Sequence, residues 1–326
     1  MIAITGANGL LGSYILRRLL HEGIPVIPLR RNSSTPIPEE FVSLTWRECE
    51  ITDPVSIQAA LAGVTVVIHT AALVSFNPRL RKKMLNINVT GTQNIVDACV
   101  SLKIPRLIHI SSIAALGRKK GVALMDEETK WVDNDLNTDY AESKYLGELE
   151  VWRGAEEGLE VSVINPTVIL APADWSKSSA RLFHYVWQEK KFFSRTLINY
   201  VDVRDVVDVI WKIYKGNYRG ERFIVNGGNI AIQQLFAHIA VRFKKKAPGI
   251  EVNPTIIRIL AVWEELRSRL TGSEPLITRQ TAKITKESFH YDNQKAVREL
   301  GITYRKLDET LDWCCAQYLQ AYTTNK

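Results

Sequence analysis

Tyr140 and Lys144 stand four residues apart in Asp139-Tyr140-Ala141-Glu142-Ser143-Lys144, and Ser111-Ser112 closes an apolar run, Leu107 to Ile110. Four residues is about one helical turn, so phenol and ammonium share a helix face. An ammonium beside a phenol favours phenolate, drawing a pKa of about 10 toward working pH. A serine hydroxyl delivered from a neighbouring strand end can hold a carbonyl or alcohol oxygen beside that phenol. Such a set moves a proton on or off oxygen while a hydride moves elsewhere. A Tyr-x-x-x-Lys pair alone also arises on solvated helix faces, so the surrounding elements decide its meaning.

Those elements alternate. Short β-branched strands are expected at Ile2–Thr5, Pro25–Leu29, Leu44–Arg47, Val64–His69, Arg106–Ser111 and Val161–Asn165. Amphipathic helices are expected between them at Leu11–Glu22, Pro54–Leu61, Leu80–Leu102 and Asp139–Glu157. Strand-helix alternation implies right-handed crossovers and a doubly wound parallel sheet covered on both faces, an α/β fold of Rossmann type. From position 166 the character changes to longer loops and helices near Ser178–Lys190, Val203–Tyr214, Ala231–Phe243, Pro254–Leu270, Asn293–Leu300 and Lys306–Tyr322. We therefore expect a dinucleotide-binding core over 1–165, with a further sheet strand near 198–201. A smaller, mainly substrate-binding part over 166–326 would interleave with it.

Bulk properties narrow the class. The 326 residues, with 46% hydrophobic and 24% charged, are ordinary for a globular protein of one large domain with an appendage. A net charge of +7 is spread over separate groups (Arg17-Arg18, Arg30-Arg31, Arg79 to Lys83, Arg118 to Lys120, Lys244 to Lys246) with no nucleic-acid-binding motif. Anionic small ligands suit it better than nucleic acid. Cys49, Cys99, Cys314 and Cys315 show no C-x-x-C spacing and are read as reduced thiols of a soluble, cytoplasmic chain. The longest apolar run, Ile256 to Trp263, is too short to span a membrane. It is expected to pack on the core or cover a substrate pocket rather than rest on a membrane surface. His69 and His109 lack the acidic or cysteine neighbours of a metal site and read as packing residues. Trp175, Phe183, Tyr185 and Trp187 suit an apolar pocket wall or core packing equally.

A cofactor site opens the chain. Thr5-Gly6-Ala7-Asn8-Gly9-Leu10-Leu11-Gly12 lies between the first strand and first helix. Its glycines allow a tight turn and close approach of backbone to a pyrophosphate, which the helix N-terminus would hold. The second strand ends in Arg30-Arg31-Asn32-Ser33, with no carboxylate for a free ribose hydroxyl and two guanidiniums suited to a 2′-phosphate. NADP(H) is favoured, with NAD(H) possible. Glu50 and Ile51, after the third strand, are placed to meet the adenine.

Together the Thr-Gly-x-x-Gly-x-x-Gly turn, the serine pair and Tyr-x-x-x-Lys resemble the extended short-chain dehydrogenase/reductase superfamily, in its NAD-dependent epimerase/dehydratase family. Val67-Ile68-His69-Thr70-Ala71-Ala72, Asn88-Val89-Thr90-Gly91, His109 through Gly117, Ile164-Asn165-Pro166-Thr167 and Tyr200 through Val206 follow in the same order. The segment Lys295 to Gly301 is similar to the dihydroflavonol-4-reductase-like branch, near the 3β-hydroxysteroid dehydrogenases. The resemblance implies Tyr140 as acid/base, Lys144 on the nicotinamide ribose, Ser112 on the substrate oxygen and Asn88 supporting the lysine. It implies cofactor contacts from Gly6, Asn8, Gly9, Leu10, Gly12, Ala71, Ala72, Pro166 and Thr167. Two positions depart from the pattern: Glu50 stands where Asp is usual, and Ala171 precedes Pro172 where Gly is common.

The chain is thus expected to be an NADP(H)-dependent oxidoreductase interconverting a carbonyl and a secondary alcohol in a small-molecule substrate. A nucleotide-sugar epimerase or dehydratase would use the same triad, but no arginine pair for a sugar-nucleotide diphosphate is evident late in the chain. A non-catalytic dinucleotide sensor sits poorly with an intact triad. Relatives commonly dimerise through two long helices, here about Leu80–Leu102 and Asp139–Glu157. A homodimer is therefore expected, through Tyr145, Leu149, Trp152, Ile95, Cys99 and Leu102.

Overall fold

A computed structural model describes the chain apart from residues 120, 123, 176–178, 272–274, 276, 277, 285, 286, 325 and 326. Position 120 in one basic group and position 178 at one expected helix start thus lie outside the described residues. In chain order the first half runs β1 (Ile2–Thr5), α1 (Leu10–His21), β2 (Val26–Arg30), β3 (Arg47–Glu48), α2 (Pro54–Ala60), β4 (Val66–His69), α3 (Arg81–Leu85), α4 (Gly91–Ser101), β5 (Arg106–Ile110), α5 (Asp139–Glu156) and β6 (Glu160–Pro166). Then come β7 (Val168–Leu170), α6 (Ala180–Trp187), β8 (Phe192–Phe193), β9 (Leu197–Asp202), α7 (Val203–Lys215), β10 (Glu221–Val225), β11 (Gly228–Ala231), α8 (Ile232–Phe243) and β12 (Ile250–Glu251). The chain closes with α9 (Pro254–Thr271), α10 (Arg279–Ile284), α11 (Gln294–Leu300) and α12 (Leu307–Thr324).

Seven strands form one parallel sheet in the order β10-β6-β5-β4-β1-β2-β3. The central strands are buried on both faces, which explains their near-continuous apolar sequences. On one face Leu11, Ile15, Leu16 and Leu19 of α1 join Val206, Ile210 and Ile213 of α7. On the other, Ile57 of α2, Ile95 and Cys99 of α4 and Val151 of α5 cover the sheet. Each fully buried aliphatic side chain stabilises the layer by about 1.5–3 kcal/mol. Strand order reverses between β1 and β4, and in such sheets the crevice at that switch point takes the ligand.

Three expectations need correction. The segment 198–201 is a strand, but it belongs to a separate three-stranded sheet, β11-β9-β7. The seventh strand of the main sheet is instead β10, which lies parallel to β6 from Glu221 opposite Ser162 to Val225 opposite Pro166. The helix expected over Leu80–Leu102 is divided, because a π-helical turn, Asn86–Thr90, separates α3 from α4. The strand expected at Leu44–Arg47 shrinks to the pair Arg47–Glu48.

The late part carries its own apolar cluster between α6, α8 and α12. Trp175 stacks on Tyr318 at 4.3 Å and Trp187 meets Phe243 edge-on at 5.2 Å. Phe183 is wholly buried and Tyr185 stacks on Phe236. Phe183 is therefore core, while Trp175, Tyr185 and Trp187 pack against that cluster and are only partly buried.

The apolar patch expected for a dimer is also reduced. Ile95 and Cys99 are fully buried, Tyr145 is stacked 4.4 Å from Trp131, and Trp152 packs on the sheet-covering cluster. Leu102 and Leu149 remain exposed, and Tyr145 and Trp152 are partly so. All four cysteines are buried free thiols. No described helix is long and apolar enough to cross a membrane.

Candidate active site

The glycine turn lies at the carboxyl end of β1. Gly6 takes φ +67°, and a Cβ there would sit 2.9 Å from the Ala71 backbone. A Cβ on Gly12 would fall 2.1 Å from the Gly6 carbonyl oxygen, so α1 passes this close only as glycine. No side chain caps α1, whose N-cap is Gly9. Its first N–H groups are thus available for an anion at the positive end of the helix dipole. Asn8 donates to the Pro36 carbonyl at 3.3 Å, and Leu10 packs on the core.

Thr5 ties this turn to β4. Its hydroxyl accepts from the Thr70 and Ala71 N–H groups at 3.2 Å and lies 2.7 Å from His69 Nδ1. His69 Nε2 reaches the Thr92 hydroxyl at 3.1 Å, and Thr92 donates to the Asn88 carbonyl. His69 therefore cross-links three elements of the crevice. Burial holds its pKa down to about 3, so the ring is neutral, and His109 is likewise held well below the usual histidine range. No cluster able to hold a metal exists among the described residues. Ala71 is half-buried and Ala72 exposed along the crevice.

Arg30 ends β2, with Nη1 on the Ser33 carbonyl at 3.1 Å, and Arg31 is exposed beside it. Glu48 of the next strand stands 3.8 Å from Arg30, an acidic neighbour that the β2 segment does not contain. Glu50 bends back onto Thr52, accepting from its hydroxyl at 3.0 Å. Ile51 is buried against Gly91, and Asn94 holds its carbonyl at 3.1 Å. Pro166 ends β6, while the Thr167 N–H donates to the Val225 carbonyl at 3.1 Å.

The catalytic candidates meet at the end of β5. Ser112 caps the short helical turn Ile113–Leu116, accepting the Ala114 N–H at 3.1 Å, and its hydroxyl stands near enough to Tyr140 to draw the phenol's pKa down. Ser111 is buried and turned away from that contact, its hydroxyl unpartnered. Thr138 caps α5, and Arg81 pairs with Asp139 at 3.2 Å and Glu142 at 2.7 Å, fixing the turn that carries Tyr140. Phe76 stands edge-on to the phenol with centroids 5.9 Å apart.

Lys144 is buried, and its ammonium donates to the Ile110 carbonyl at 2.9 Å. The expected pull of Lys144 on the phenol is not what the structure gives. Burial raises Tyr140 above the usual phenol value, and the Ser112 hydroxyl opposes that rise. Burial also lowers Lys144 to about 8, against the raising effect of the Glu148 charge one turn further on.

Asn88 is anchored beside the site by its side-chain amide. Its amide accepts from the Leu73 N–H at 2.7 Å and donates to the Leu73 carbonyl at 2.9 Å and the Ser143 hydroxyl at 3.0 Å. The π-helical turn presents Asn88 there, and α5 approaches it closely: a Cβ on Gly147 would lie 2.3 Å from the Asn88 carbonyl oxygen.

A second buried group, which sequence spacing does not mark, stands behind the lysine. Asn165 donates to both the Ser112 carbonyl and Glu148, each at 2.9 Å. Glu148, 1% exposed, pairs with Arg222 of β10 and accepts from Trp152 at 3.2 Å. One carboxylate thus joins the strand ends bearing Ser112 and Pro166 to the helix bearing Tyr140 and Lys144.

Fold and site together define a dinucleotide-binding α/β protein of the short-chain dehydrogenase/reductase type. The chain belongs to the NAD-dependent epimerase/dehydratase family, whose sequence profile matches residues 2–226. It is 28% identical over 315 residues to a Synechocystis protein provisionally named dihydroflavonol 4-reductase, covering 94% of this chain and 91% of that one. It is 28% identical over 242 residues to cinnamoyl-CoA reductase 2 of Arabidopsis thaliana, covering 69% and 72%. Among solved structures, gox2253 superposes with a TM-score of 0.83 at 28% identity over 98% of both chains. The UDP-glucose 4-epimerase of Thermotoga maritima superposes at 0.79 with 19% identity over 98% and 99%, a likeness of fold. The family is nicotinamide-dinucleotide dependent, and its members are enzymes.

Proposed function

We propose that the protein is an NADP(H)-dependent oxidoreductase that interconverts a carbonyl and a secondary alcohol. The observation that carries this reading is the gathering of Ser112, Tyr140 and buried Lys144 at the end of β5, beside the sheet's switch point. The cofactor fits the residues present: the uncapped α1 N-terminus and the cradle that side chains at Gly6 and Gly12 would fill suit its pyrophosphate. Arg30 and Arg31 would hold a 2′-phosphate, Ala71, Ala72, Pro166 and Thr167 would border the nicotinamide half, and Glu50 with Ile51 the adenine. When bound, the nicotinamide supplies or takes up the hydride.

The protein's own part is the proton. A phenol whose pKa burial raises stays protonated at neutral pH, the form that can donate to a carbonyl oxygen. Ser112 orients that oxygen. One of the three Lys144 donors is spent on Ile110, leaving two for ribose hydroxyls and for fixing charge near the phenolate that forms. In reduction the substrate carbon gains the hydride, its oxygen gains the Tyr140 proton, and solvent then reprotonates the phenolate.

Two predictions arise here. Replacing Arg30 and Arg31 together by Ala should weaken NADPH by about 10- to 100-fold and NADH by far less, read as Kd values from titration. A wild-type protein that prefers NADH would overturn the cofactor choice. Glu148→Gln removes the charge that raises Lys144, so the ammonium should be lost at lower pH. The alkaline limb of the kcat/KM profile should therefore move down from about 8. A uniform loss of rate with an unmoved limb would show that Glu148 acts through packing alone.

A further inference from the structure

The two faces of α9 differ sharply. Ile257, Ala261, Glu265 and Ser268 are buried: the first two pack with Ala282, Glu265 binds Arg279 at 2.9 Å, and Ser268 meets Asn77 and Arg79. The opposite stripe, Ile256, Ile259, Leu260, Trp263 and Leu266, follows the i, i+3, i+4, i+7, i+10 spacing of one helix side. Ile259 is 60% exposed and Trp263 68%. This is the apolar run expected to be covered, and no described part of the chain covers its outer side. A contiguous apolar ridge of that kind marks an interaction surface.

A basic border precedes α9 along the chain. Ile250 and Phe192 pair across β12 and β8 just ahead of α9, and both are about half exposed. Lys190, Lys191 and Lys246 line a hollow with Ile250, and Lys244 is exposed nearby. The acids of this border are matched, Glu189 by Lys245 at 3.6 Å and Glu251 by Arg195 at 3.5 Å, so positive charge is in excess.

We propose that α9 and the β8–β12 edge dock on an anionic lipid bilayer, with the Ile259–Trp263 side among the acyl chains and the lysines at the headgroups. A helix with an apolar side bearing Trp and a cationic flank is the form that lies in a membrane interface. A second copy of this chain fits less well, because a two-fold contact through this face would set the lysine groups against each other.

The test is flotation of the full chain with vesicles of phosphatidylcholine alone and of roughly 4:1 phosphatidylcholine–phosphatidylserine, at low and high salt. Wild-type protein should float with the mixed vesicles, at least about tenfold less with neutral ones, and should be released by salt. Ile259→Ser with Trp263→Ser should lower partition about tenfold or more on mixed vesicles. Lys190→Glu with Lys191→Glu should abolish the preference for anionic lipid. Thermal shift with NADP⁺ checks that each variant still folds and binds, independently of turnover. Folded wild-type protein that floats with neither vesicle, or equally with both, overturns the proposal. So does a dimer in light scattering that Ile259→Ser dissociates, since a second copy would then occupy the face.

Discussion

Tyr140→Phe should lower kcat by about 10²- to 10⁴-fold while leaving nicotinamide-dinucleotide affinity within about twofold. The substitution removes one oxygen and its transferable proton but keeps the ring that stands against Phe76. Ser112 retains the Ala114 N–H, so the strand end should hold its shape. Steady-state kinetics with NADPH, beside a direct titration of NADPH binding, separates the two quantities. Near-normal kcat in this variant would remove Tyr140 from its acid/base role, and lost binding would make the phenol a cofactor contact instead.

Gly12→Ala should weaken both NADPH and NADH by about 10- to 100-fold, because overpacking of about 1–3 kcal/mol falls directly on the pyrophosphate cradle. The new methyl would meet the Gly6 carbonyl at 2.1 Å, a backbone atom that can yield only by moving the turn or the helix. Gly9→Ala is the internal comparison. Its Cβ would lie 3.1 Å from the same oxygen, and its φ of −79° suits any residue, so its loss should be severalfold smaller. Calorimetric titration of the two variants gives the ratio directly. Equal affinities would mean that the cradle does not bind the dinucleotide.

What was legible in the sequence was local. The glycine turn, the Ser111-Ser112 pair and Tyr140-x-x-x-Lys144 each lie within one short segment, so spacing alone places their groups together. The central strands of the main sheet are readable because burial on both faces demands runs such as Val66–His69 and Arg106–Ile110, whereas the edge strands β10 and β3 are not. What was hidden depends on distant partners. Glu148 reads as one more acid on a helix until Asn165, 17 residues away, and Arg222, 74 residues away, close on it. The segment 197–202 shows strand character, yet nothing in it states which sheet it joins. The π-helical turn at Asn86–Thr90 leaves no mark on an amphipathic pattern, although it delivers Asn88. The late aromatics could not be divided between pocket and core by type alone. Their ring contacts with Tyr318, Phe243 and Phe236 come from segments far along the chain, which spacing does not show.

The central claim is net hydride transfer to a carbonyl carbon with protonation of its oxygen. Its most direct test is incubation with NADPH deuterated at nicotinamide C4 and a panel of aryl and alkyl ketones, with UDP-sugars in parallel. The account predicts stoichiometric NADPH oxidation with a carbonyl compound and deuterium on the carbon that becomes the alcohol. Turnover of a UDP-sugar with no net change in cofactor, and no label reaching any member of the carbonyl panel, would contradict it.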